Sequence, residues 1–170
     1  MNYKKILPIL ILGLVIVLLF LFQENEEVVN QNNDVYLQES KQEYKGERGE
    51  TVYLANGLAE IDISDLEKNE VRFFNTDLSG KKVYFFIARD GEGVYRAAAN
   101  ECQVCFSART GFRQEGDEIV CNNCGNRYPL NRIATEKGGC NPAPIDPDIK
   151  AENGIIRIEA EKLEEISYLF

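Results

Sequence analysis

Cys102-Gln-Val-Cys105, then fifteen residues, then Cys121-Asn-Asn-Cys124: this stretch, inside the segment from Asn100 to Pro144 that holds all five cysteines, decides how the rest of the chain is read. A packed core does not require such spacing. Two tight turns, each presenting two sulfurs, converge on one tetrahedral thiolate site when the intervening residues fold back as a hairpin, and the ion such a site takes is zinc or sulfur-bound iron. Gly125 follows Cys124, where a positive φ lets backbone N–H groups turn back toward the sulfurs. Phe106 follows Cys105, so the first turn lacks that glycine. The candidate ligands are therefore Cys102, Cys105, Cys121 and Cys124, with Cys140 as a fifth sulfur, either a direct ligand or a shield carried on the tight loop Gly138-Gly139-Cys140-Asn141-Pro142.

Outward from this segment the chain reads as short strands separated by turns. Upstream, Val71-Arg-Phe-Phe74 is followed by Ser79-Gly80, then Val83-Tyr-Phe-Phe-Ile87, then Asp90-Gly91-Glu92-Gly93, then Val94 to Ala99, which delivers the first cysteine pair. Glu115-Gly116-Asp117 is a hairpin turn that leads through Ile119-Val120 to the second pair. Asn153-Gly154 precedes a closing strand, Ile155 to Ile158, and Lys162 to Phe170 is a terminal helix or a last edge strand. The expectation is a mainly β domain over residues 58–170, a small antiparallel sandwich or barrel-like fold with its cysteine knuckles on loops.

The N-terminal side differs in composition. Ile6 to Phe22 is seventeen residues of apolar sequence including Pro8 and Gly13, with Lys4 and Lys5 before it and Glu24, Glu26 and Glu27 after it. As a helix it spans roughly 25 Å, slightly less than a hydrocarbon core. It exceeds the apolar core of a signal peptide, and Gln23-Glu24-Asn25-Glu26 offers no small-x-small cleavage site, so residues 1–22 read as an uncleaved membrane anchor. Lysines before and acids after place the domain on the extracytoplasmic side of the cell membrane, single-pass. Residues 23–57 are polar and acidic with no sustained periodicity, and read as a linker; a short helix around Asp34 to Lys45 is the alternative.

Composition removes several classes of function. The chain of 170 residues has no histidine, which excludes mixed Cys/His zinc sites, histidine-ligated haem, Ser-His-Asp and Cys-His nucleophiles and imidazole bases. No paired carboxylates or phosphate-cradling glycine loop stands out, so no independent catalytic reaction is expected. Within residues 100–140 five bases (Arg109, Arg113, Arg127, Arg132, Lys137) balance five acids, while the rest beyond the anchor carries eleven more acids than bases. That surface argues against nucleic acid and suits cations or a basic redox partner.

The block from Gly111-Phe112-Arg113-Gln114-Glu115-Gly116-Asp117-Glu118 through Cys121-Asn-Asn-Cys124-Gly125, and then Gly138-Gly139-Cys140-Asn141-Pro142-Ala143-Pro144, resembles the FtrD-like membrane iron-sulfur protein domain family. The likeness runs from about Ile61 to Leu163. It implies a membrane-attached iron-sulfur protein, associated in some members with iron-uptake systems that contain an iron permease. A fainter likeness is to Rieske domains, whose two ligand loops and proline-rich third loop occur in the same order; here cysteines stand where a Rieske centre has histidines, and thiolates in place of neutral imidazoles would lower its reduction potential.

Three functions of different kinds follow. An electron carrier would hold an iron-sulfur cluster, and the resemblance favours it. A structural Zn module would close the same four thiolates for partner binding, and the spacing by itself favours that. A thiol–disulfide redox protein would use the Cys-x-x-Cys pairs directly, although the pattern around them is not the βαβ of thioredoxin-like proteins.

Overall fold

The structure, a computed structural model, describes residues 43–170. The expected anchor and the linker up to residue 42 lie outside the described residues. Among the described residues no helix is long and apolar enough to cross a membrane.

The centre of the domain is an antiparallel meander of β4 (Glu70–Leu78), β5 (Lys81–Arg89) and β6 (Tyr95–Cys102). Ser79 and Gly80, with φ of 54° and 89°, make the tight turn between β4 and β5 that two positive-φ residues allow. The next turn is organised by Asp90. Its Oδ1 accepts the N–H groups of Glu92 and Val94 at 3.0 and 2.9 Å, and its Oδ2 accepts Arg96 Nε at 3.1 Å. Burial pushes this carboxyl up, but the backbone donors and the Arg96 guanidinium outweigh it and hold the group below the usual carboxylate range. Its contribution is therefore complete above the unfolded-state value of about 4 and is lost as pH falls through the folded-state value. Because the Asp90 side chain is 1% exposed and that of Arg96 17%, Asp90→Ala strands a buried cation. We expect it to lower stability at pH 7 by about 3 kcal/mol, measured by urea unfolding.

Two further strands extend the meander. The two-residue β1 (Glu50–Thr51) lies parallel to β4, and β10 (Pro142–Asp146) lies antiparallel to β6, giving the order β1-β4-β5-β6-β10. A second sheet runs β11 (Ala151–Glu152), β12 (Ile155–Glu159), β3 (Leu58–Asp62), β2 (Leu54–Ala55). A third holds β7 (Phe112–Glu115), β8 (Glu118–Cys121) and β9 (Arg127–Pro129). Helix α1 (Ala160–Ile166) and a 3-10 turn over Ser167–Leu169 end the chain, which decides the terminal segment in favour of helix.

The mainly β expectation holds, and barrel-like closure does not. Among the described residues all three sheets are open, with β1 and β10 ending the largest instead of pairing with each other. The physical reason lies in those edges: β1 offers two residues, and Pro142 and Pro144 in β10 carry no N–H to donate to a further strand. The pairing of β1 with β4 is also parallel, a departure from an all-antiparallel domain.

The linker boundary also shifts. Residues 43–57 were expected to be tether, but they are folded onto the domain. Tyr44, 5% exposed, stacks on Tyr84 with ring centroids 3.9 Å apart, and Asn75 Nδ2 donates to the carbonyls of Arg48 and Gly49 at 3.0 and 3.2 Å. One anchoring aromatic and two-residue pairings leave no periodicity for the sequence to display.

The central sheet is buried on both faces, which is why Val83 to Ala88 is an unbroken apolar run. Val83, Phe85 and Ile87 of β5, with Ala97 and Ala99 of β6, face one core shared with Ile61, Ile156, Ile158 and Leu163. Phe86, Ala88 and Ala98 face the other, shared with Phe112, Ile119, Leu130, Ile133, Cys102 and Cys121. Apart from Tyr84, which meets Tyr44 and Phe170 of the first core, the period of two along β5 and β6 thus divides one sheet between a structural core and the floor of the cysteine site.

Candidate metal centre

Cys102 is the last residue of β6 and Cys121 the last residue of β8, so sheet hydrogen bonds fix each just before the chain turns. The two turns are built alike. The N–H groups of Val104 and Cys105 point at the Cys102 sulfur, and those of Asn123 and Cys124 point at the Cys121 sulfur. After Cys124 the expected glycine does its work: Gly125 has φ 76°, donates its N–H to the Cys121 carbonyl at 2.9 Å, and lets the Asn126 N–H reach the Cys124 sulfur. After Cys105 the chain instead winds into a 3-10 turn, Phe106–Ala108, which leaves through Arg109 at φ 53°.

The β7–β8 hairpin brings the second turn alongside the first, as the spacing requires. Phe112 pairs with Cys121, and the Phe112 N–H donates to Asn100 Oδ1 at 2.9 Å, tying the hairpin to β6. Asn100 also donates from Nδ2 to the Glu47 carbonyl at 2.8 Å and accepts Tyr44 OH on its own carbonyl at 2.6 Å. Gly111, at φ 61°, sits where an added Cβ would lie 2.9 Å from the Asn100 carbonyl oxygen, so only glycine lets the hairpin approach this closely.

The structure brings all five sequence-predicted sulfurs together, in two overlapping groups. Cys102, Cys105 and Cys121 have sulfurs within 4.8 Å of one another, and so do Cys105, Cys124 and Cys140. Cys105 belongs to both. The first group is the deeper one, with Cys102 and Cys121 buried, and the second reaches solvent through the exposed Cys124. All five are free thiols. An all-sulfur donor set with backbone N–H groups directed at the sulfurs fits zinc or an iron-sulfur centre, both of which prefer soft thiolate ligands.

Burial separates the thiols electrostatically. It pushes Cys102 up to about 12 and raises Cys121 as well, whereas the Asn126 N–H lowers Cys124. Without metal, the deep sulfurs hold their protons and the outer one gives its proton up more readily; binding metal displaces them.

Several residues of the site carried no signal in the sequence. Glu101 is fully buried beside Cys102, its oxygens accepting the N–H groups of Cys102 and Gly111 at 3.1 and 3.2 Å, and burial lifts its carboxyl to about 7. Tyr128 donates its hydroxyl to the Cys140 carbonyl, and its own acidity is weakened, to about 12, by desolvation. Three of the five bases of residues 100–140 are paired with acids of the same segment. Arg113 and Arg127 pair with Glu115 at 2.6 and 2.7 Å, Arg127 also pairs with Glu118, and Arg132 pairs with Glu136. These solvent-facing pairs contribute little to stability.

No curated protein matches the chain. Among solved structures, a chain of the complex of reduced oxygenase and oxidized ferredoxin in carbazole 1,9a-dioxygenase is similar, with a TM-score of 0.40 at 15% identity, over 62% of this chain and 95% of that one. Residues 66–170, which include both cysteine pairs and Cys140, match the family described as membrane iron-sulfur containing protein FtrD-like, and the chain belongs to that family.

Proposed function

We propose that the domain is an electron carrier whose iron-sulfur centre is held by Cys102, Cys105, Cys121 and Cys124, tethered to the outer face of a membrane by residues 1–22. The observation that carries this reading is the grouping of five sulfurs into a deep and a shallow triad with a shared member. Family membership supports iron-sulfur as the occupant. When bound, such a centre supplies a one-electron couple. The protein supplies the rest. Cys102 and Cys121 anchor the centre on the floor of the second core, and the N–H groups of Val104, Cys105, Asn123 and Cys124 stabilise the thiolates. Cys124 brings the site to the surface, where a partner can approach. The acidic surface beyond the site suits a basic redox partner or a cation, and we extend the reading to iron uptake beside an iron permease.

The full chain, purified in detergent without oxygen, is expected to be brown, to contain iron and acid-labile sulfide, and to bleach reversibly on reduction. Colourless protein with zinc would establish the structural module instead. Metal-free protein whose cysteines titrate as disulfides would establish thiol–disulfide chemistry.

A further inference from the structure

The two sulfur triads overlap in one atom. Cys102, Cys105 and Cys121 lie mutually within 4.8 Å, as do Cys105, Cys124 and Cys140, and Cys105 is the member common to both. A tetrahedral ion at about 2.3 Å from each sulfur holds its ligands roughly 4 Å apart, so either triad by itself fits one ion. Five sulfurs exceed what one tetrahedral ion takes. The overlap supplies donors for two, because a thiolate sulfur has lone pairs enough to bind two metals at once.

Cys140 is built into the outer triad and not laid over it. Its loop is fastened to the first cysteine turn through Gln103, which lies between Cys102 and Cys105. Gln103 Oε1 accepts the Gly138 N–H at 3.2 Å, and its backbone N–H and Nε2 both donate to the Asn141 carbonyl at 3.1 and 3.3 Å. Asn141 Nδ2 closes the loop on the Gly138 carbonyl at 3.0 Å. Tyr128, on the strand that pairs with the one ending in Cys121, donates its hydroxyl to the Cys140 carbonyl. The backbone around Cys140 is thus bonded to both elements that carry the deep ligands, which fixes its loop as an outer ligand requires.

We propose that the two triads hold two metal nuclei, the deep one on Cys102, Cys105 and Cys121 and the outer one on Cys105, Cys124 and Cys140, with the Cys105 sulfur common to both. The proposal rests on the metal-centre reading above and adds Cys140 to its ligands. The nuclei are unequal. The deep one ends on buried Cys102 and Cys121, fixed at the ends of β6 and β8, and the outer one on exposed Cys124 and loop-borne Cys140. The deep nucleus therefore binds first, and the outer one is held only beside it. Each sulfur gives up its thiol proton on binding, and no oxidation state changes.

Metal per chain in full-length protein, purified without oxygen, tests this. Wild-type protein is expected to carry two ions. Cys140→Ala, which leaves the deep triad whole, is expected to carry one, and Cys105→Ala, which breaks both triads, none. Any other count in a metal-bearing wild-type protein or in either variant would overturn the shared sulfur. Should a variant fail to fold, wild-type protein decides: stripped, reduced and reloaded with an enriched spin-active cadmium isotope, a soft divalent probe, it is expected to give two equal NMR signals, each split by the other through Cys105. One signal, or two unsplit signals, overturns the proposal. The metal's identity decides the electron-carrier reading separately. Two zinc ions per chain would remove that reading and keep this one, and a single reducible iron would do the reverse. Protein that purifies without metal is scored by cadmium uptake, where two ions per chain support the proposal and fewer overturn it.

Discussion

Cys121→Ser protein is expected to purify with no bound metal. Cys121 is buried at the end of β8 and shares the deep triad with Cys102 and Cys105, whereas Cys124 and Cys140 share the outer triad with Cys105. No spare thiol stands in for it. A serine hydroxyl is a harder donor that stays protonated under conditions where a thiolate forms, so it is a poor substitute for a soft ligand. The N–H groups of Asn123 and Cys124, which point at the Cys121 sulfur, would remain without a thiolate to stabilise. Since metal binding adds to folding free energy, the loss should also appear as a lower unfolding temperature relative to loaded wild-type protein, and as no difference of that size when both are stripped of metal. The decisive measurement is metal per chain. Retention of wild-type metal by Cys121→Ser would remove Cys121 from the ligand set, and with it the reading of a deep and a shallow half.

What the sequence displayed and what it hid follow from how local each feature is. Val83-Tyr-Phe-Phe-Ile87 announced a strand because β-branched and aromatic residues run together between turn signals, and Ser79-Gly80 announced its turn because two positive φ values are needed there. The knuckles were legible for the same reason: Cys-x-x-Cys and Gly125 are requirements of a few adjacent bonds. Strand β10 was not legible, since Pro142 and Pro144 argue against a strand until β6 is found beside them as an edge partner. Tyr44 looked like linker because its partners, Tyr84 and Asn100, lie 40 or more residues away. Glu101 and Gln103 read as ordinary polar residues flanking a cysteine; what gives each its role is an oxygen or amide reaching a different loop, Gly111 in one case and Gly138 with Asn141 in the other. The five sulfurs were recognised as one site, but their division into two triads sharing Cys105 is a property of the assembled loops.

Phe112→Ala should be the most damaging change outside the sulfurs. The ring is fully buried in the core beneath the site, meeting Phe86 of the central sheet edge-on at 6.4 Å and Tyr128 of β9 at 6.2 Å. It thereby joins the cysteine sheet to the central one, on the strand that pairs directly with Cys121. Truncation removes the buried ring and leaves a cavity that surrounding strands, fixed by their ladders, can only partly close, at a cost of about 3–5 kcal/mol. For a domain of this size that is a large part of the total stability, about 5–15 kcal/mol. Phe73, only partly buried and touching Phe86 from the same core at 5.9 Å, provides the comparison: Phe73→Ala should cost visibly less. Both are to be measured by urea unfolding of metal-free protein, so that lost packing is not confused with lost metal. The second effect is on the site itself. With its floor loosened, the Cys121 turn is free to shift against Cys102, and metal should dissociate faster from Phe112→Ala than from Phe73→Ala when a chelator is added. Equal costs and equal release rates would mean that the hairpin carrying the second cysteine pair is held by its hydrogen bonds to Asn100 alone, and that the core below it does not position the sulfurs.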